Sequence, residues 1–263
     1  MHSKKSITVW CVWCAILSGL LWLVFHNPES TAAEPDEPAV KKDATGRYEF
    51  RKDHDLNGQG KFYMGRELAQ VMSFHGAPWL ERAEREEEER LSTLVDLLQL
   101  KPGQAVCDLG AGSGVITLMM ASRVGETGKV FAVDIQQEML DLLADKTNRL
   151  GLKQVQLVLG TEKNPKLASA SLDLLLMVDV YHEFAFPYEM MVEICKAMKP
   201  GGRVVFVEYR REDPQVPIKL VHKMSEAQVK KEMAPPEFGM KWKETIATLP
   251  RQHVIVFERL PME

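Results

Sequence analysis

From residue 91 onward, dense apolar runs alternate with stretches in which apolar residues recur every three or four positions. The runs at 105–109, 129–134, 155–159, 172–178 and 203–208 are short and mostly apolar, the pattern of strands buried on both faces. Between them, 115–124, 136–150 and 187–198 carry helical periodicity. In 136–150 the residues Met139, Leu142, Leu143 and Leu150 fall on one stripe. Strand and helix in strict alternation predict a parallel sheet covered on both sides. The rhythm then changes. After a helix near 225–233 come two strand-like runs, 242–247 and 253–258, separated by a few residues around Pro250. A parallel crossover needs a dozen or more residues, so these two strands must pair antiparallel. The expectation is an α/β, Rossmann-like, doubly wound sheet of seven strands, mostly parallel, closed by an antiparallel C-terminal hairpin.

The first ninety residues read differently. Lys4 and Lys5 precede an uncharged run at 7–25 that includes Trp10, Trp13 and Trp22. At about 1.5 Å per residue, such a helix nearly crosses a hydrocarbon core about 30 Å thick. Residues 1–26 are therefore expected to be a transmembrane anchor, with a cleaved signal as the alternative. Small-residue cleavage sites are available at Ser30–Thr31–Ala32 and Thr31–Ala32–Ala33. Residues 27–46 hold three prolines and five acids and read as a flexible linker. Met64, Leu68, Val71 and Met72 follow helical steps and Pro78 starts a second helix, so 47–90 is read as a helical lid region. Tyr63, Gly65 and Arg66 are its candidate ligand-covering residues. The run ERAEREEEER at 81–90 reads as a solvated helix with i,i+4 ion pairs.

Charge narrows the function. The net charge is −4, with no basic stripe on any predicted face, which argues against a nucleic-acid partner. Of the four cysteines, Cys11 and Cys14 lie in the apolar run, Cys107 in a strand and Cys195 on a helix. Outside that run no Cys/His spacing is that of a metal site, so neither a metal nor a disulfide framework is expected.

The chemistry concentrates in VCDLGAGSG, residues 106–114, between the first strand and its helix. Glycines there let a ligand approach the backbone, and the helix start offers free N–H groups. Twenty residues after Gly114, Asp134 ends the second strand, placed to accept both hydroxyls of a ribose. A dinucleotide loop requires G-x-G-x-x-G, yet the third glycine here is one place early and Val115 stands in its position. Asp108, two residues before the loop, would repel a pyrophosphate and suits an ammonium group.

This D-x-G-x-G-x-G arrangement resembles the first motif of the class I S-adenosylmethionine-dependent methyltransferases. The Lys199–Gly202 turn and the hairpin containing residues 249–257 are similar to that family as well. The resemblance spans about 91–257 and assigns 91–263 to the methyltransferase domain, nearest in pattern to ubiquinone/menaquinone-type and other small-molecule methyltransferases. It implies S-adenosyl-L-methionine as cofactor. Asp108, Gly110, Ala111, Gly112 and Gly114 would serve the methionine part, Asp134 the ribose, and Ile135, Thr161 and Glu162 the adenine. An aspartate is more usual in the family at the position of Glu162. Beyond the fourth strand, VDVYHEF at 178–184 gathers Asp179, His182 and Glu183 where the methyl group would lie. His182 is the candidate general base, since imidazole titrates near neutrality, and Asp179 also borders the cofactor.

The expected activity is methyl transfer to a small-molecule or lipid-like acceptor. A non-catalytic cofactor-binding module is the rival of another class. An NAD-dependent oxidoreductase is disfavoured by the glycine spacing, and aminopropyl transfer by the absence of any polyamine signature. The expected location is a membrane, through 7–25, or the exterior after signal cleavage. The lysines before the run favour a non-cytoplasmic domain, whereas cofactor supply favours a cytoplasmic one.

Overall fold

The computed structural model describes residues 40–261. The apolar run at 7–25, and with it the anchor and signal expectations, lies outside the described residues. Among the described residues no helix is long and apolar enough to cross a membrane.

The chain first builds a small antiparallel sheet in sequence order from β1 (Val40–Lys42), β2 (Tyr48–Arg51), β3 (Gly58–Tyr63) and β4 (Arg66–Ala69). The expected linker at 27–46 therefore includes β1 and ends in the turn before β2, and the expected helix after Tyr63 is absent. Tyr63 pairs with Arg66, leaving Met64 and Gly65 as a two-residue turn with φ of 48° and 91°. Positive φ at both central residues is the hairpin turn whose twist matches its strands. The three- and four-residue steps of Met64, Leu68 and Met72 imitate a helix, but the left-handed turn breaks it. The strands instead bury Tyr48, Tyr63 and Leu68 together.

Three short helices follow: α1 (Ala77–Leu80), α2 (Arg85–Glu89) and α3 (Leu91–Leu97). Arg90, at φ 53°, is left-handed and separates α2 from α3. The run at 81–90 is not the solvated face expected, because Arg85 and Glu89 are buried.

The remaining elements follow the alternation: β5 (Ala105–Leu109), α4 (Val115–Val124), β6 (Lys129–Asp134), α5 (Gln137–Leu150), β7 (Val155–Leu159), β8 (Leu172–Val178), α6 (Pro187–Ala197), β9 (Met198–Tyr209), α7 (Glu226–Glu232), β10 (Met240–Ile246) and β11 (Gln252–Arg259). Their order across the sheet is β10-β11-β9-β8-β5-β6-β7. The five strands β5 to β9 pair parallel, while β11 pairs antiparallel with both β9 and β10. The seven-stranded, mostly parallel sheet with a terminal hairpin is as the alternation predicts. The turn at 199–202 lies within β9, where the register against β8 shifts between Leu172 and Leu174.

One face of the sheet buries Met177, Ile194, Phe206 and Phe257, and the other Val106, Met120, Leu176 and Val256. Each such side chain contributes about 1.5–3 kcal/mol of burial. β5 has β6 on one side and β8 on the other, so the chain leaves it in both directions. That reversal opens a crevice at the carboxyl ends of these strands, the usual ligand position in such sheets.

Candidate cofactor and acceptor site

A cavity of about 510 Å³ occupies this crevice. Leu109 and Gly110 enter it from the end of β5, Asp134 and Ile135 from β6, and Val178 and Asp179 from β8. The loop after β5 is shaped by two close approaches. At Gly110, φ is 77° and a Cβ would lie 2.4 Å from the Val180 side chain. At Gly114, φ is 87° and a Cβ would lie 2.2 Å from that of Leu143 on α5. The backbone N–H groups of Gly110 and Ala111 both donate to the Val133 carbonyl, at 2.8 and 3.0 Å. This ties the loop to β6. In return, Gly112 N–H donates to Asp134 Oδ2 and Gln136 N–H to Asp134 Oδ1, each at 2.9 Å. The carboxylate is thus aimed by its own loop before any ligand arrives. Burial raises its pKa, and the backbone donors oppose that rise.

Not every residue expected to hold cofactor reaches the cavity wall. Gly110, Gly112, Asp134, Ile135, Glu162 and Asp179 line it. Asp108 lies beneath, accepting the Thr117 hydroxyl at 2.6 Å, with burial pushing its pKa up to about 6. Ala111 packs against Ala132 and Leu143, and Gly114 caps α4. Thr161 closes an exposed turn by accepting Asn164 N–H at 3.1 Å. These four support the wall rather than form it.

Asp179, which lines the cavity, is a second candidate beside Asp108 for an ammonium partner. This residue is left-handed at φ 52°, an unusual conformation for a side chain larger than glycine. Its Oδ2 accepts Gln252 Nε2 at 2.8 Å, while Oδ1 is buried without a hydrogen-bond partner. Burial, with Glu89 and Glu208 nearby, holds its pKa far above the carboxylate range. Beside it stand Arg82, Arg85, Glu89 and Tyr209, none of which was marked as functional by the sequence. Glu89 accepts from Arg85 Nε at 2.8 Å, from the Tyr209 hydroxyl at 2.9 Å, and from Arg82. An orphaned acceptor in a cavity that two guanidinium groups also line fits the ammonium and carboxylate of an amino acid. The site therefore suits the methionine end of the expected cofactor, as Asp134 suits its ribose.

The far end of the cavity is built on a 3-10 turn, Tyr181–Glu183. His182 is buried, with Nδ1 2.6 Å from Glu208 Oε2, and Tyr181 N–H donates to Glu208 Oε1 at 3.1 Å. Arg66 grips Glu232 through two bonds of 2.8 and 2.9 Å and donates to the His182 carbonyl at 3.1 Å. Met72 N–H donates to Glu183 Oε1 at 3.3 Å. Loss of water penalises the charged form of every group here. It lowers His182 and His222 to about 4 and raises Glu183 to about 7 and Glu208 to about 8. Burial thus favours the neutral imidazole at His182, the form required of a base or a ligand.

The lid differs from expectation. Tyr63 and Gly65 border a separate surface pocket with Arg47 and Lys231, and Arg66 lies beneath His182. The cavity is covered instead by Val71, Met72, Trp79 and Leu80. Gln136 clips this cover down, donating to Met72 O at 2.9 Å and accepting Phe74 N–H at 2.8 Å.

Comparison with known proteins agrees with this geometry. Residues 100–249 match the family described as a methyltransferase domain. The chain is 29% identical over 112 residues to a demethylmenaquinone methyltransferase of Bacillus mycoides (strain KBAB4), covering 43% of this chain and 47% of that protein. It is likewise 29% identical over 116 residues to a ubiquinone/menaquinone biosynthesis C-methyltransferase of Legionella pneumophila (strain Lens), covering 44% and 46%. The chain thus spans less than half the length of these curated relatives. In fold it is similar to a SAM-dependent methyltransferase from Aquifex aeolicus, with a TM-score of 0.67 at 23% identity over 72% of this chain and 100% of that one. Glycine loop, the carboxylate at the end of β6, strand order and family match all converge: the chain belongs to the methyltransferase-domain family, as a class I S-adenosylmethionine-dependent member.

Proposed function

We propose that the protein transfers the methyl group of S-adenosylmethionine to a small, lipid-like acceptor. The observation that carries this reading is one cavity with two unlike ends. Asp134 and the orphaned Asp179 mark the cofactor end, while Met72, Phe184, Met190 and Ile218 give the other end an apolar wall around His182 and Glu183. When bound, S-adenosylmethionine supplies an electrophilic methyl group on its sulfonium. Asp134 holds both ribose hydroxyls, and Ile135 and Glu162 flank the adenine. Asp179 takes the ammonium, and Arg82 with Arg85 the carboxylate. The cover at 71–80 excludes water. His182 and Glu183 hold the acceptor's polar group and receive its proton where it has one to lose. Orienting acceptor and methyl group in one cavity can supply about 7–11 kcal/mol of the barrier reduction, so a strong base is not required. The relatives named for quinone biosynthesis support a lipid-like acceptor.

The test is incubation of the full chain with methyl-labelled cofactor and fractionated cell extract. Label is expected in the lipid fraction. Label confined to polar metabolites or protein contradicts the acceptor class, and no transfer to any fraction favours a cofactor-binding module without turnover. The uncharged run at 7–25 supports a further proposal, that the protein is held at a membrane. Full-length protein should stay in the pellet after carbonate washing. Soluble protein beginning near Ala33 would instead mark a cleaved signal, and protease protection of intact vesicles reports the side.

A further inference from the structure

At the acceptor end a third residue, His222, which the methyl-transfer reading leaves unused, joins His182 and Glu183. His182, Glu183 and His222 present three potential ligand atoms, all within 4.8 Å of one another. Glu183 Oε1 stands between the two rings, 4.0 Å from His182 Nε2 and 3.9 Å from His222 Nδ1. The rings lie 5.2 Å apart and are nearly perpendicular at 89°, so they converge on the carboxylate from two directions. All three residues line the cavity.

We infer that His182, Glu183 and His222 form a binding site for a divalent transition-metal ion, of the zinc or cobalt type, at the acceptor end of the cavity. Two imidazoles and one carboxylate are a ligand set such ions take, leaving a fourth position for a water or substrate atom. Ligands at about 2.0–2.2 Å on a tetrahedral ion stand roughly 3.4 Å apart, so the two Glu–His pairs would close by about half an ångström and the two histidines by up to roughly 1.4 Å. The orientation is already set from behind. Glu208 engages His182 Nδ1 at 2.6 Å, which directs Nε2 into the cavity, and Arg66 holds the same residue's carbonyl at 3.1 Å. With an ion on Nε2, Glu208 would release its proton and accept Nδ1–H as a carboxylate, the arrangement by which metal sites fix ring orientation. Met72 N–H steadies Glu183 Oε1 at 3.3 Å. Lys219, a cavity-lining cation on this loop, adds to burial in lowering the His222 pKa and donates to Asn57 Oδ1 at 2.6 Å. A hydroxyl, thiol or carbonyl oxygen of an acceptor would take the fourth position on the ion.

This inference rests on the reading of that end as the acceptor site, but its test is independent of methyl transfer. Chelator-treated full-length protein is titrated with Co²⁺ and followed by visible absorption, then back-titrated with Zn²⁺. One saturable equivalent with the intense bands of a low-coordinate ion is expected, displaced by Zn²⁺. His222→Asn and Glu183→Gln should each weaken binding at least tenfold, and Glu208→Gln by about 10–100-fold. Each variant is also titrated with S-adenosylhomocysteine, which should bind unchanged and so reports that the fold is intact. No saturable spectrum, or Co²⁺ affinity unaltered in His222→Asn and Glu183→Gln, overturns the metal site. Metal binding without S-adenosylhomocysteine binding would overturn the proposed function and leave the metal site standing.

Discussion

The two ends of the cavity are made in opposite ways. The ribose end comes from one continuous segment of 25 residues, in which Gly110 and Ala111 N–H donate to the Val133 carbonyl and Gly112 N–H to the Asp134 carboxylate, at 2.8–3.0 Å. The acceptor end is assembled from three distant pieces: Arg66 on β4, the turn at 181–183, and His222 in the loop after β9. The first is held mainly by hydrogen bonds from its own backbone N–H groups to neighbouring positions on β6. The second depends on buried charge pairing, so its geometry is exposed to single side-chain changes far from the ligand.

The strongest way to stress this contrast is Arg66→Ala. It leaves Glu232 fully buried without its guanidinium partner, and breaking a buried pair in this manner costs about 3–5 kcal/mol. Urea denaturation should show that loss, while the protein that remains folded still binds S-adenosylhomocysteine. Loss of cofactor binding in folded protein would mean that the two ends are not independent.

The matching change at the ribose end is Gly114→Ala. A non-glycine residue at φ 87°, with its Cβ against Leu143, combines backbone strain and overpacking, together about 2–4 kcal/mol. Thermal unfolding should register the loss, and a Tm within a degree or two of the parent would show that the loop tolerates a side chain.

Asp108 sharpens the comparison through pH. Its carboxyl is moved from 3.8 to about 6 by burial, so the folded state holds its proton more tightly than the unfolded chain. That contribution is fully present below pH 3.8 and is lost as pH rises through about 6. Two units correspond to about 3 kcal/mol at most. Asp108→Asn should therefore gain stability relative to the parent as pH goes from 4 to 7 in cofactor-free protein. An unchanged difference across that range would show that the carboxyl is ionised in the fold at both ends of it.

The contrast also explains what could be read in advance. Alternating apolar runs fixed β5 to β11 and the hairpin, because both the period and the short gap at Pro250 are local properties. Asp134 was legible for the same reason, standing at a strand end a set distance from the glycines. Arg85 and Glu89 were not, since an i,i+4 ion pair looks alike on a solvated face and against a cavity wall; only their burial separates the two. The Met64–Gly65 turn was missed because methionine at φ 48° lacks the usual asparagine or aspartate signature. His222 carries no local signal, and only the folded loop brings it to His182.

The most direct test of the cofactor assignment is calorimetric titration of S-adenosylhomocysteine and, separately, NAD into the full chain and its Asp134→Ala variant. Charge-assisted bonds of this kind contribute roughly 1.5–3 kcal/mol each before offsets. One S-adenosylhomocysteine site is predicted, weakened about tenfold or more by Asp134→Ala in a folded variant, with NAD bound weakly if at all. An equal Kd in the folded variant, or tighter binding of NAD, would contradict it.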